Sequence, residues 1–234
     1  MKVMLIELLD FEGWILRLGA DREWKVQYVQ HHLYSVLQKR VSAEGGFLIP
    51  LTFHNMLIIA NGVKHEGFSR IFNYMKKVSP VAFRASEGAG KTFKEAIEKA
   101  AINIAKLKEG EVYFGDYEES ELAVAHFDLN SYLSNFRNGR IFDALKQING
   151  LISLTNRVAD KVEGVSVYLG GDNAAVFAGK ELIEELGAIK LNSVKVGVGI
   201  AYSAREGLKL AAEALSHIRR HRDQNVKILS HVHP

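Results

Sequence analysis

The sequence of 234 residues contains no cysteine. This absence excludes a disulfide framework and any thiolate metal site. The sequence also lacks an apolar run of the ~18 residues that a membrane-spanning helix needs. Asp10 and Glu12 interrupt the apolar N-terminus early. We therefore predict no signal peptide and no membrane partner, and we expect a cytoplasmic protein.

A large excess of one charge is also lacking, because 30 basic and 27 acidic residues leave a net charge of +3. The one dense basic cluster, Arg219–Arg222, falls at the end of a predicted helix, where cations complement the helix dipole. We therefore predict no nucleic-acid partner. With 47% hydrophobic and 24% charged residues, the composition is typical of a globular protein that buries a core.

Hydrophobic periodicity and turn residues predict the order βαββαβ, followed by one more helix and strand, and they predict it twice. The first half comprises a strand Val3–Leu9, a helix Asp21–Val41, a strand pair Phe47–Ala60, a helix Glu66–Lys77, a strand Val81–Ala85, a helix Lys91–Leu107 and a strand Glu111–Phe114. The second half comprises a strand Glu121–Asp128, a helix Asn138–Val162, a hairpin Val165–Ala178, a helix Lys180–Gly187, a strand Val194–Ala201, a helix Ser203–Arg222 and a strand Val226–Leu229.

The halves agree in order and spacing, and in each an apolar strand is followed by an aspartate, Asp10 in the first half and Asp128 in the second. This agreement indicates a duplication. Each half is predicted to form a ferredoxin-like sheet with helices on one face. The predicted fold class is α+β, with tandem domains over residues 1–118 and 119–234. The joint falls in the acidic stretch 116–121, which has no proline- or glycine-rich linker, so we expect closely packed domains.

The hairpin of the second half carries the most informative motif, Gly170-Gly171-Asp172-Asn173. The glycines can adopt backbone conformations closed to other residues, and they leave space for a ligand. Asp172 lies at the hairpin tip, and Asp128 ends the preceding apolar strand. Two carboxylates from neighbouring strands, with backbone oxygens beside them, predict a site for a hard cation such as Mg²⁺. The alternative is that both aspartates are simple turn formers.

The segment Ala85–Thr92 also resembles a phosphate-binding loop, because it follows a strand and opens a helix. Two features argue against that role. The matching segment of the second half, Ala201–Glu206, is a plain turn, and a phosphate loop normally follows the first strand of a large parallel sheet. Lys91 stays a candidate phosphate contact at a helix N-terminus.

Five segments match one family in order over nearly the whole chain. They are Leu9–Trp14, Phe53–Asn55 followed by Ala60–Gly62, Ala125–Asn130, Leu169–Asn173 and Val196–Ile200. With these motifs the chain resembles archaeal GTP cyclohydrolase III, also called IIa, a relative of the palm domain of nucleotidyl and diguanylate cyclases. The resemblance implies Mg²⁺-dependent hydrolysis of GTP to 2-amino-5-formylamino-6-(5-phosphoribosylamino)pyrimidin-4-one and two phosphates. It also implies a place early in flavin and deazaflavin synthesis and a homo-oligomer, dimer or tetramer.

The resemblance implies a set of site residues as well. The metal, Mg²⁺ or alternatively Mn²⁺, would be held by Asp128, the backbone oxygen of Leu129, Asp172 and, in the first half, Asp10. The catalytic residues would be Asp128, Asp172, Asp10 and His54. The nucleotide-binding residues would be Phe11, Asn55, Gly170, Gly171, Asn173, Arg205, Lys209 and Arg219.

His54 stands where the family has an aspartate, and imidazole is a poor ligand for Mg²⁺. His54 is interpreted as a general base or a ligand of another metal, as a neutral group beside guanine, or as an inert residue of a scaffold. Two other functions therefore stay open: a nucleotidyl-cyclase-like enzyme and a non-catalytic GTP-binding regulator. His126 is interpreted either as a residue that orients Asp128 or as a core histidine.

Overall fold

The structure is a computed structural model that describes residues 1–115, 117–130, 132–191, 193–220 and 224–230. The chain divides into two compact units. The N-terminal unit comprises Lys2–Lys91 and Glu95–Glu119, and the C-terminal unit comprises the chain from Ser120 onward together with Met1 and Thr92–Lys94. Among the residues described, no helix is both long and apolar enough to cross a membrane.

The N-terminal unit contains a five-stranded sheet in the order β2-β3-β1-β4-β5. Its elements are β1 (Lys2–Leu8), α1 (Phe11–Arg17), α2 (Glu23–Ala43), β2 (Phe47–Pro50), β3 (Asn55–Ile59), α3 (His65–Val78), β4 (Phe83–Ala89), α4 (Phe93–Ile104) and β5 (Val112–Tyr113). All neighbouring strands are antiparallel except β4 and β5, which are parallel.

The C-terminal unit contains a second sheet, in the order β10-β9-β6-β8-β7. Its elements are β6 (Leu122–Leu129), α5 (Tyr132–Arg137), α6 (Ile141–Lys161), β7 (Val165–Gly170), β8 (Asn173–Ala178), α7 (Glu181–Ala188), β9 (Val194–Ala201), α8 (Ala204–Arg220) and β10 (Val226–Ser230). The pairings repeat those of the first sheet, with only β9 and β10 parallel. The predicted α+β fold is confirmed, and the two sheets share one strand order, as the predicted duplication requires.

Each sheet is covered by helices on both faces, which differs from the prediction of one covered face. In the C-terminal unit, Ala125 and Phe127 of β6 pack in one core with residues of α6 and α7. Alternate strand residues point to opposite faces, and Val124 on the other face contacts Gly207 of α8. Helix α8 comes this close because β9 carries glycine at 197 and 199, and a side chain at either position would overlap the α8 main chain.

Two short helices, α1 and α5, are absent from the predicted elements. They contain seven and six residues, which is too short for hydrophobic periodicity to identify a helix. The predicted helix Asn138–Val162 is confirmed as α6, three residues shorter at its start. The predicted end of the last helix at Arg222 lies outside the described residues, and α8 is described as far as Arg220.

The segment that resembles a phosphate-binding loop forms most of a strand instead. β4 extends to Ala89, so few residues remain for a loop before α4. The Lys91 N–H donates to the Glu95 carboxylate at 3.0 Å, so the chain's own anion occupies the start of this helix. This contact argues against a nucleotide phosphate at Lys91.

Candidate active site

The candidate active site lies where β6 ends beside the turn between β7 and β8. Asp128 pairs directly with Asn173 in the antiparallel register of β6 and β8. One residue further along, the Leu129 N–H donates to the Asp172 carbonyl oxygen at 3.0 Å. The sheet pairing therefore brings the two predicted carboxylate residues, Asp128 and Asp172, to the same corner of the C-terminal unit.

The turn beside these carboxylates is built from two glycines with positive φ, +107° at Gly170 and +58° at Gly171. No heavy atom lies within 4 Å of the position that a side chain would take at either residue. Tyr168 supports the turn, because its hydroxyl donates to the Gly171 carbonyl oxygen at 2.8 Å. The turn thus presents main-chain atoms to open space, as the sequence predicted. The role of Tyr168 was not predicted, because nothing in the sequence marks this residue except that it lies close to the glycines.

Asp128 is paired with an arginine. The Arg219 guanidinium, in the last turn of α8, lies 3.0 Å from the Asp128 carboxylate. The Asp128 side chain is only 9% exposed, whereas that of Arg219 is 57% exposed. A carboxylate this deeply buried needs a partner charge, and Arg219 supplies it. The long side chain of Arg219 is anchored at one end and exposed at the other.

A chain of hydrogen bonds connects His126, Asn173 and Asp172. His126 Nε2 lies 2.9 Å from Asn173 Oδ1, and Asn173 Nδ2 donates to Asp172 Oδ1 at 2.6 Å. Burial lowers the pKa of His126 below 6.5, and the charge of Arg219 acts in the same direction. The hydrogen bond to Asn173 and the charges of Asp128 and Asp172 oppose this shift. His126 therefore contacts the hairpin asparagine rather than orienting Asp128 directly.

Two predicted phosphate contacts lie away from this corner. Arg205 is in the first turn of α8, about 21 Å from Arg219 along the helix axis at roughly 1.5 Å per residue. Lys209 lies about 15 Å from Arg219 by the same measure and pairs with Glu206 at 3.2 Å. Of the three predicted basic residues, Arg219 is the one that the structure places beside Asp128. Nucleotide binding by Arg205 and Lys209 stays a prediction.

The matching corner of the N-terminal unit shows that the counterpart of Asp128 is not Asp10, as the comparison of the halves predicted. Glu7 of β1 pairs with Asn55 of β3, and the Leu8 N–H donates to the His54 carbonyl oxygen at 2.7 Å. The same two pairings occur in the C-terminal unit, between Asp128 and Asn173 and between Leu129 and Asp172. Glu7 is therefore the structural counterpart of Asp128, and half-buried His54 is that of Asp172. Like Asp128, Glu7 has an arginine partner, Arg84, at 2.6 Å.

Asp10 lies three positions beyond Glu7 and does not occupy the position of Asp128. It precedes α1 with φ of 51°, and its exposed carboxylate accepts two hydrogen bonds from Arg17, each at 3.1 Å. Phe11 is 3% exposed, and its ring packs against Trp14 in the core. The ring of Phe11 therefore lies in the core, and the contact of Phe11 with a nucleotide stays a prediction.

The sequence matches a family profile described as GTP cyclohydrolase III over residues 3–231. The chain belongs to the GTP cyclohydrolase III family. The family member of Saccharolobus solfataricus is 32% identical over 228 residues, which cover 96% of this chain and 97% of the relative. The member of Sulfurisphaera tokodaii is 32% identical over 231 residues, which cover 98% of each. Among solved structures, a bacterial light-regulated adenylyl cyclase is similar over 97% of this chain and 85% of its own, with 11% identity and a TM-score of 0.38.

The corner offers few ligands of its own to a divalent cation. The described residues contain no group of three or more His, Asp or Glu side chains placed to hold a metal by themselves. Asp128, Asp172 and the backbone of Leu129 offer hard oxygen donors beside the open glycine turn. Mg²⁺ is typically bound by one or two carboxylates with substrate phosphates and water completing its shell. The donor set fits an Mg²⁺ whose remaining ligands come from the phosphates of a nucleoside triphosphate.

Proposed function

We propose that this protein is a GTP cyclohydrolase that uses Mg²⁺ to hydrolyse GTP to 2-amino-5-formylamino-6-(5-phosphoribosylamino)pyrimidin-4-one and two phosphates. The observation that carries the proposal is the position of Asp128 and Asp172 beside the open Gly170-Gly171 turn, in a chain that belongs to the GTP cyclohydrolase III family.

The balance of the reaction defines what the site must do. One water adds at C8 of guanine and the C8–N9 bond breaks, so that the formyl group stays on N7. Two further waters cleave the phosphoanhydride bonds and release two phosphates. When bound, Mg²⁺ supplies Lewis-acid stabilisation of the phosphate charge and a template for the triphosphate.

The residues of the corner have separate roles in this proposal. Asp128, Asp172 and the Leu129 carbonyl would hold the cation, and Gly170 and Gly171 would let the phosphates approach the main chain. Asn173 fixes Asp172 by a hydrogen bond. Arg219, whose side chain is 57% exposed, would turn from Asp128 to the phosphates once a cation is bound at Asp128.

A GTP-binding regulator is the second candidate. It is favoured by His54, which stands in the N-terminal unit where Asp172 stands in the C-terminal unit. If both corners must hold cations for turnover, the imidazole at this position leaves Glu7 and Asp10 without the carboxylate partner that Asp128 has in Asp172. The placement in flavin and deazaflavin synthesis, the cytoplasmic location and the homo-oligomer stay predictions.

The test is to incubate the purified protein with GTP and Mg²⁺ and to measure phosphate release and guanine absorbance. Two phosphates with loss of the guanine spectrum support the proposal. Pyrophosphate with an intact guanine would identify a nucleotidyl cyclase, and unchanged GTP that still raises the melting temperature would identify a regulator.

Variants assign the chemistry to this corner. Asp172→Asn and Asp128→Asn are each expected to lower kcat/KM by about 100-fold or more, the loss seen when a group that stabilises transition-state charge is removed. Asp160→Asn, at an exposed position of α6, is the matched control and is expected to keep wild-type turnover. Full activity in Asp172→Asn would contradict the proposal.

A further inference from the structure

The hydrogen atoms of the His126–Asn173–Asp172 chain can be assigned from the carboxylate outward. An ionised carboxylate only accepts hydrogen bonds, so the Asn173 atom 2.6 Å from Asp172 Oδ1 must be the amide nitrogen. The Asn173 amide oxygen therefore faces His126 at 2.9 Å and needs a donor. His126 Nε2 must then carry its hydrogen, which fixes both the amide orientation and the imidazole tautomer.

This arrangement immobilises Asp172 at two points. The Leu129 N–H holds its carbonyl oxygen at 3.0 Å, and the Asn173 amide holds Oδ1 of its carboxylate. Asn173 can aim its nitrogen at Asp172 only while its oxygen has a partner on the other side, and His126 is that partner. No residue that the structure describes donates to Oδ2 of Asp172, so this atom is available to a cation.

The N-terminal unit shows that the fold does not require a histidine at this strand position. His126 pairs with Ala175 and Gly197, and the residue with the equivalent pairings in the first sheet, to Leu57 and Ser86, is Leu5. The repeat with leucine at this position also has His54 where the other has Asp172. The imidazole thus occurs in the repeat that has the hairpin carboxylate to orient.

We propose that His126 is a positioning residue that acts through the Asn173 amide to hold the Asp172 carboxylate in the orientation that binds the divalent cation. This inference rests on the proposed function of the corner. Outer contacts of this kind typically change metal affinity or activity by about 10- to 100-fold.

The test compares His126→Leu with His126→Gln. The leucine removes the donor and copies the residue of the other repeat, so folding is retained, whereas glutamine keeps an N–H donor. We expect His126→Leu to raise the Mg²⁺ concentration for half-maximal GTP turnover by about 10-fold or more, with a smaller change in kcat at saturating Mg²⁺. His126→Gln is expected to recover most of this shift. His31→Leu, at an exposed position of α2, is the matched control.

Two further measurements separate positioning from a packing effect and from the proposed function. In an Asn173→Ala background, His126→Leu is expected to add no further shift, because the path to Asp172 is already broken. Mn²⁺ binding without nucleotide, followed by electron paramagnetic resonance, is expected to weaken about 10-fold in His126→Leu and to disappear in Asp172→Asn.

Three outcomes would each overturn the inference. The first is an equal defect in His126→Leu and His126→Gln, and the second is an additive effect in the Asn173→Ala background. The third is an unchanged Mg²⁺ midpoint together with an unchanged Mn²⁺ affinity. A wild-type protein that binds Mn²⁺ through Asp172 without converting GTP would refute the proposed function alone.

Discussion

Arg219 and Asp128 show how one ion pair can stabilise a site without its ligand and still allow the ligand to bind. The 9% exposed carboxylate is costly to leave unpaired, and the guanidinium 3.0 Å away offsets this cost. In the proposed function, a divalent cation and Arg219 would compete for the same carboxylate. The pair would then oppose metal binding in the absence of GTP, and the phosphates would release it by offering the guanidinium another partner.

Arg219→Ala is accordingly expected to have opposite effects on the two ligands. Without the competing guanidinium, Mn²⁺ should bind more tightly to the nucleotide-free protein. The KM for GTP should rise by about 10-fold, because a charged hydrogen bond to phosphate contributes roughly 1.5–3 kcal/mol. Equilibrium Mn²⁺ binding and steady-state kinetics measure the two effects.

Arg220→Ala removes the same charge from the neighbouring exposed position of α8 and is the control. It should leave the affinity for Mn²⁺ and the KM for GTP close to wild type. A fall in Mn²⁺ affinity in Arg219→Ala would mean that Arg219 supports the cation rather than competing with it.

At the scale of elements, the packing of α8 on β9 decides where Arg219 lies. A side chain at 197 would overlap the Ala211 carbonyl oxygen, and one at 199 would overlap that of Gly207. Both obstacles are main-chain atoms, so the overlap can be relieved only if the helix moves. Because Arg219 is in the last turn of this helix, such a movement would also displace its guanidinium from Asp128.

Gly197→Ala is expected to destabilise the protein by about 1–3 kcal/mol, the usual cost of overpacking. The KM for GTP should rise as well, because α8 carries Arg219. Chemical denaturation and steady-state kinetics test both effects. Gly150→Ala is the control and is expected to change the free energy of unfolding in the opposite direction. Gly150 is exposed within α6 and has no atom near its side-chain position. It should stabilise the protein by about 0.5–1 kcal/mol. Equal stability of Gly197→Ala and wild type would refute the close packing of α8.

At the scale of the whole molecule, a buried ionic cluster in the N-terminal unit makes stability depend on pH. Glu87 is 1% exposed, and burial is the largest cause that raises its pKa above 4.5, with the charge of Glu119 adding to it. The Gly115 N–H, at 3.0 Å, and the charges of Lys2 and His65, at 3.9 and 3.8 Å, oppose the shift. The folded state therefore binds this proton more tightly than the unfolded chain does.

The sign of the pH dependence follows from this difference. Between pH 4.5 and the raised pKa of Glu87, the folded state carries more protons than the unfolded state, so the contribution of Glu87 to stability falls as pH rises. Glu87→Gln removes this titration. The free energy of unfolding of the variant minus that of wild type should therefore increase as pH rises above 4.5, and it should level off once Glu87 is ionised in the folded protein.

Denaturant unfolding at a series of pH values measures this difference directly, because the other titrating groups are common to both proteins. Glu98→Gln, at an exposed position of α4, is the control and should run parallel to wild type. A difference between Glu87→Gln and wild type that decreases with pH would show that Lys2 and His65 outweigh burial.

Local sequence patterns were sufficient for the order of the strands and the longer helices and for the hairpin motif. The strand Val194–Ala201 has the bounds that its β-branched residues and flanking turn residues predict. The Gly-Gly turn lies between β7 and β8 because glycine is the residue that accepts positive φ at little cost. The corner of the C-terminal unit was also predictable, because Asp128 ends a strand that the sequence identifies and Asp172 lies at the tip of the predicted hairpin.

These local patterns could not predict which residues lie next to each other in the folded protein. A motif comparison matched Asp10 with Asp128 because each is an aspartate after an apolar strand, but the register of β1 with β3 puts Glu7 in that position. Arg205, Lys209 and Arg219 are equivalent in sequence as basic residues of one helix, and only the antiparallel run of α8 after β9 selects Arg219. The sequence by itself determined which segments fold and repeat, because periodicity and turn chemistry are local. The tertiary structure alone decided which charges meet, because hydrogen-bond register and helix packing join residues that are distant along the chain.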